Sequence, residues 1–223
     1  MDARNNGALH HLAIFNYFLH HENRAYSDSI THLFAYLPYI CNHIQLFNFM
    51  QILKTHYHPS IETLDCKSIF TRLATRAIAI QDENILLLYT ERYEDYSLPG
   101  GGLDEAEDRI TGMKRELIEE TGAKNILNIK PFGAYVEYRP WYKPDFDIQH
   151  MISYCYTCEV DKELGASSLE SYEIKNGMEA RWVNIYEAIK HNEQTMATSK
   201  SKGMSIDRET YLLRRVVERI LIQ

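Results

Sequence analysis

Glu116, Glu119 and Glu120 stand close together behind Arg115 and downstream of the glycine run Gly100–Gly102. On a helix, at about 100° per residue, the three carboxylates fall within roughly 100° of arc and crowd one face. Each like-charged pair costs a few tenths of a kcal/mol in solvent, on the order of 0.2–0.5, and more when shielded from water. Oxygen ligands at this spacing suit a hard cation such as Mg²⁺ or Mn²⁺. Arg115 lies four residues before Glu119 and is placed to hold it as an ion pair. Gly112 sits on the same face, where glycine costs about 1 kcal/mol relative to alanine; its missing side chain is expected to leave space over the acids. The competing reading is an ordinary solvated acidic face.

The elements that must position these groups are legible around them. Asp104 followed by Glu107 has the form of an N-cap and its capping-box partner, and Gly122 sits where a left-handed C-terminal residue belongs. The spacing predicts a helix from about Glu105 to Thr121, with Ala106, Ile110, Met113 and Leu117 as its buried stripe. Upstream, residues 73–80 alternate like a strand, 81–84 form a turn, and 85–89 form a second strand. Downstream, 132–138 and 150–160 are strand-like, separated by the aromatic loop Arg139-Pro140-Trp141-Tyr142-Lys143-Pro144. A polar loop over 164–177, a strand at 180–183, and helices near 186–191 and 207–221 follow. Strands interleaved with helices predict an α/β or α+β sandwich.

Residues 1–66 differ in character. They hold eight of the ten histidines, and helical spacing of apolar residues predicts three helices, the last over 40–53, then a polar connector. No cysteine or carboxylate completes an evident metal set with those histidines, so a helical accessory or dimerisation layer is the expectation.

A formal net charge of −7 argues against a nucleic-acid partner bound through a general basic surface. No apolar run reaches the roughly 18 residues that span a bilayer, so no membrane partner and a cytoplasmic location are expected. Cys155 and Cys158 have C-x-x-C spacing within a strand-like run, where period-2 alternation turns the thiols to opposite faces; buried structural thiols are expected rather than a redox or zinc pair.

Gly101, Glu107, and the run Arg115-Glu116-Leu117-Ile118-Glu119-Glu120-Thr121-Gly122-Ala123 together resemble the signature of the Nudix hydrolases, with Ala123 replacing a bulkier aliphatic. The resemblance implies an α/β/α sandwich with a mixed sheet over about 67–223, preceded by the helical extension 1–66. It implies metal-dependent hydrolysis of a pyrophosphate linkage in a nucleoside diphosphate joined to another group: a nucleotide sugar, ADP-ribose, a dinucleotide or a nucleoside triphosphate. The metal, Mg²⁺ with Mn²⁺ as substitute, would be held by Glu116, Glu119, Glu120 and the Gly101 carbonyl. Arg115 would orient the glutamates, Glu107 would support them, and Glu119 or Glu120 would serve as general base, with Glu170, Glu173 and Glu179 as later alternatives. Tyr138, Trp141 and Tyr142, with Tyr135, are candidates to stack on a base, and Arg139 or Lys143 to meet phosphate; the same loop fits a homodimer interface equally well. The alternative function is a noncatalytic ligand-sensing or scaffold domain whose helical N-terminus binds a partner.

Overall fold

The computed structural model describes residues 50–65 and 67–222. Residues 50–223 form one compact unit. Its strands are β1 Ile52–Tyr57, β2 Ile69–Gln81, β3 Asn84–Thr90, β4 Asp95–Ser97, β5 Leu127–Pro140, β6 Ile148–Glu159 and β7 Met178–Asn184. Its helices are α1 Arg109–Thr121, α2 Ser171–Lys175, α3 Ile185–Thr198 and α4 Ile206–Val216, the last running into a π-helical turn at Val217–Leu221.

The strand order is β1-β5-β6-β2-β3-β4, with β7 paired to the other side of β3. Strand β1 is parallel to β5 and β2 is parallel to β6, while β5–β6, β2–β3, β3–β4 and β3–β7 are antiparallel. The sheet is therefore mixed, as expected. Period-2 alternation along β2 sorts its residues into two layers. Ala77 and Ala79 pack with Met113 and Leu117 of α1. Ile78 packs with Ile185 and Ala188 of α3 and with Leu212, Leu213 and Val216 of α4. Two alanines under α1 let the carboxylate helix approach the sheet closely. Burial of each large apolar side chain contributes roughly 1.5–3 kcal/mol.

Cys155 belongs to the layer beneath α3 and α4, and Cys158 to the layer beneath α1. Both thiols are free and buried on opposite faces, and burial pushes each up to about 12.

The structure corrects three local expectations. The described end of the helix expected over 40–53 is not helical: Ile52 and Leu53 open β1, whose register with Ala134–Tyr138 sets Leu53 against Gly133 while Tyr211 donates to the Leu53 carbonyl at 2.8 Å. Helix α1 begins one turn later than expected. Ala106 has φ 61°, a left-handed conformation that no α-helix accommodates, and Asp108 is the N-cap, its carboxylate accepting from the amides of Ile110 and Thr111. Asp104 closes a separate turn, in which its amide donates to Glu107 Oε2 at 3.0 Å. Within the polar stretch 164–177, residues Ser171–Lys175 form the short helix α2. The helical reading of residues 1–49, with its histidines, lies outside the described residues, as does Cys66. Among the described residues no helix is long and apolar enough to cross a membrane.

Candidate active site

The Pro99–Leu103 segment runs irregularly alongside β2, with a single antiparallel bridge between Gly102 and Ala74. Ala77, Thr75 and Leu103 amides donate to the carbonyls of Pro99, Gly101 and Leu73 at 2.8, 2.9 and 2.9 Å. Gly100 has φ 137°, and a Cβ there would lie 2.1 Å from the Thr75 carbonyl oxygen, so only glycine fits. The Gly100 amide donates to Glu120 Oε2 at 2.6 Å. The Glu116 carboxylate lies over Gly101, where a Cβ would come within 2.5 Å of both its oxygens. Two glycines thus seat two carboxylates, one helical turn apart, against the strand.

Arg115 organises the outer half. Its guanidinium donates to both oxygens of Glu107 at 2.9 Å, to Glu116 Oε1 at 2.9 Å, to Glu119 Oε2 at 3.3 Å and to the Gly102 carbonyl at 3.3 Å. These bonds hold Glu107 well below the usual carboxylate range. Gly112 does not leave empty space over the acids: a Cβ there would meet Leu103 Cδ2 at 2.4 Å and Glu107 Oε2 at 2.8 Å. The missing side chain is what admits Leu103 and Glu107 to their places.

The three glutamates differ in environment. The Glu119 side chain is 46% exposed, and Arg115 is its ion-pair partner. Glu116 is half-buried, and burial raises its pKa. Glu120 is buried, and desolvation pushes it up to about 8 despite the Gly100 amide. Among the described residues no side chain pairs with Glu120. No group of three or more His, Cys, Asp or Glu side chains among them converges on one point; Arg115 bonds both Glu116 and Glu119. The donor chemistry nevertheless fits a hard cation: Glu116 and Glu120 are desolvated carboxylates whose charges raise each other's cost, and oxygen ligands are what Mg²⁺ or Mn²⁺ takes. The Gly101 carbonyl accepts from Thr75 and keeps a second lone pair.

Gly101, Arg115, Glu116 and Glu120 line a cleft of about 1130 Å³, whereas Glu107 and Glu119 stand outside its lining, behind and beside Arg115. Arg139 and Trp141 line it; Tyr138 and Tyr142 do not. Alternation explains the split. Glu137 and Arg139 point to one face of β5, and Tyr138 points to the other, stacked between its cross-strand partners Tyr57 and His150 at 4.9 and 4.5 Å. Tyr142 is 75% exposed with its ring 4.4 Å from Trp141. Tyr135 is in the core under α4. Trp141 is held by donation from its indole to Asp145 at 2.8 Å and packs on Phe70, which also meets Phe146, at 5.0 and 5.5 Å. Phe70 and Phe146, together with Arg72 and Arg76 on the same face of β2, line the cleft and carried no motif that could have flagged them. Of the later acids, Glu170 and Glu173 line the cleft, whereas Glu179 is paired with Arg181 on the surface. Glu173 is committed locally, accepting from the Glu170 amide and the Tyr172 hydroxyl.

The floor holds a buried ionic cluster. Arg208 bonds Glu137, and donates to Glu209 at 2.8 Å; Glu209 accepts from the Leu98 amide at 3.0 Å and lies 3.5 Å from Arg76. Burial lowers the pKa of Arg76, while its two arginine partners hold Glu209 in the charged form.

The NUDIX domain model matches residues 71–204, and the chain belongs to that family. It is similar to an RNA pyrophosphohydrolase of Bartonella henselae, 40% identical over 57 residues, and to one of Bartonella quintana, 42% identical over 57 residues; each match covers 26% of this chain and 30% of the relative. The match thus spans about 30% of the length of these curated relatives. Among solved structures it is similar to the Mutator MutT protein of Bacillus halodurans (18% identity, 66% of this chain and 82% of that one, TM-score 0.46) and to a NUDIX hydrolase from Nitrosomonas europaea (19%, 64% and 90%, 0.44).

Proposed function

We propose that this member of the NUDIX family hydrolyses the pyrophosphate linkage of a nucleoside diphosphate joined to a further group, with Mg²⁺ or Mn²⁺. The observation that carries this reading is the pair Glu116 and Glu120, seated on Gly101 and Gly100 and turned into a cleft that also holds Arg72, Arg76 and Arg139. A carboxylate as buried as Glu120 with no cationic side chain paired to it costs stability, and a bound cation is the compensation the site lacks.

Glu116 and Glu120 would hold the cation, with Glu119 and the Gly101 carbonyl as further oxygen donors. The bound cation supplies charge neutralisation at the phosphate oxygens and acidifies a water. Arg115 fixes Glu116 and Glu119 through its planar fork, and Glu107 fixes Arg115. Glu119, half-exposed and held by Arg115, would double as the base that takes the proton as water oxygen attacks phosphorus and the bridging P–O bond breaks in line. The basic wall of Arg72 and Arg139 steadies the non-bridging oxygens. The Phe70–Trp141–Phe146 cluster offers a ring surface on which a nucleobase stacks.

The activity named for the similar Bartonella proteins adds an RNA-borne pyrophosphate as a second substrate to test. Purified full-length protein with Mg²⁺ or Mn²⁺ is screened against nucleotide sugars, ADP-ribose, dinucleoside polyphosphates, nucleoside triphosphates and pyrophosphate-bearing RNA. Release of a nucleotide or phosphate product that disappears in Glu119→Gln and Glu120→Gln is the expected result. Absence of turnover on every substrate would favour the noncatalytic alternative.

A further inference from the structure

The cleft is ordered along β2. Phe70, Arg72, Ala74 and Arg76 all line it, and from Phe70 to Arg76 an extended strand covers about 20 Å. At the first end stands the Phe70–Trp141–Phe146 cluster. Arg72 comes next, its guanidinium against Gly102. Glu116 over Gly101 and Glu120 at Gly100 occupy the middle, opposite Ala74 and Thr75. At the far end Arg76 meets Glu209, and beyond it lies Asp95 at the start of β4.

Asp95 has no role in the chemistry above. It is 4% exposed and lines the cleft. Among the described residues its carboxylate accepts no hydrogen bond and forms no ion pair. Its cross-strand partner is Thr90, whose hydroxyl also lines the cleft without a protein partner among the described residues. The backbone around the pair is fixed: the Asn192 side chain bonds both the amide and the carbonyl of Tyr96, and Thr195 and His191 bond the Glu94 carbonyl. Gly203 closes one side, where a Cβ would lie 3.1 Å from Asp95 Oδ2. A rigid, desolvated carboxylate without a donor partner is costly, and it disfavours an anion placed directly against it.

We infer that Asp95, with Thr90, is the specificity-determining pair for the group on the far side of the pyrophosphate, and that this group is a neutral sugar whose hydroxyls donate to the Asp95 carboxylate. With a base on the aromatic cluster and the diphosphate at Glu116, Glu120 and Arg72, the second half of the substrate falls at Asp95. A carboxylate accepts well from vicinal hydroxyls, as acidic side chains do from ribose in dinucleotide sites. A further phosphate placed there would meet the Asp95 carboxylate directly, while Arg76 and Arg208 are already engaged by Glu209. The assignment rests on the hydrolase reading for its substrate class and predicts nucleoside diphosphate sugars over nucleoside triphosphates.

The test is equilibrium binding to the full chain by calorimetry, with two matched pairs, ADP against ADP-ribose and UDP against UDP-glucose, and with ATP. Wild-type protein is expected to bind the sugar-bearing member of at least one pair about tenfold tighter than the bare diphosphate, and tighter than ATP. Asp95→Ala removes that preference without changing affinity for the bare diphosphate, and Asp95→Asn, which keeps the shape, strengthens ATP binding. In turnover, KM for the nucleotide sugar rises about tenfold with kcat nearly unchanged. No preference for a sugar in either pair, or a preference unchanged in both variants, overturns the assignment; so does equal weakening of both members of a pair. A sugar preference that is lost in the variants, in a protein with no turnover, leaves Asp95 in place and removes the hydrolase reading instead.

Discussion

The Gly100 amide donates to the Glu120 carboxylate at 2.6 Å across a strand–helix junction. Gly100 sits at φ 137°, where a Cβ would lie 2.1 Å from the Thr75 carbonyl oxygen, so the residue that makes this bond has to be glycine. Backbone geometry and carboxylate placement are therefore one feature, and the site's chemistry is built on it.

Glu120→Gln keeps an acceptor for the Gly100 amide and removes the charge. The fold is expected to persist, turnover to fall by about a thousandfold or more, and the rise in Tm on adding Mg²⁺ to vanish. Thermal unfolding with and without Mg²⁺, beside a turnover assay, checks all three. A wild-type Tm indifferent to Mg²⁺ and Mn²⁺ would remove the metal assignment.

Arg115→Lys exchanges a planar fork for a single ammonium, which cannot meet Glu107, Glu116 and Glu119 together. Activity is expected to drop about ten- to a hundredfold while stability changes by only about 1 kcal/mol, since the pairs are half-exposed. Steady-state kinetics and urea denaturation separate the two effects.

Gly112→Ala improves helix propensity by about 1 kcal/mol but sets a methyl group 2.4 Å from Leu103 and 2.8 Å from Glu107. Overpacking of this kind costs about 1–3 kcal/mol. The variant is expected to be less stable than wild type, and to lose activity as Glu107 is displaced from Arg115. A more stable variant would show that the helix can shift to accept the methyl group.

Asp95→Asn tests the buried carboxylate through stability alone. Burial, then the neighbouring Glu209 charge, raise Asp95 to about 6, while Arg208 pulls the other way. Between the unfolded value near 3.8 and about 6 the folded state keeps a proton that the unfolded chain has lost, so wild-type stability declines relative to the variant as pH rises through that window. At pH 4 the two proteins are expected to be nearly equally stable. At pH 7.5 the variant gains about 2–3 kcal/mol. Urea denaturation at both values reads the difference, in which titrations elsewhere cancel.

The carboxylate helix was readable because its constraints are local. Three glutamates at helical spacing, Arg115 before them and Gly122 after them specify a face and a C-terminus without reference to the rest of the chain. The N-terminus was not readable in the same way. Asp104 with Glu107 suits a cap by spacing, but Ala106 at φ 61° interrupts any helix begun there, and Asp108 caps it instead. Strand β1 was misread for a related reason: apolar spacing in a short segment does not separate helix from strand, and the parallel pairing with β5 supplied the missing partner.

The sequence by itself determined the resemblance to the family, carried by the signature Gly101 to Ala123, and, through periodicity and short spacings, the alternation of strands and helices and which carboxylates share a face. Only the tertiary structure brought Phe70 to Trp141, Arg208 and Glu209 to Glu137 and Arg76, and Asp95 to the end of the cleft. These residues lie far apart in the chain, and strand register, not spacing, makes them neighbours. The same register turned Tyr138 away from the cleft and Arg139 into it, because adjacent side chains on a strand must face opposite sides.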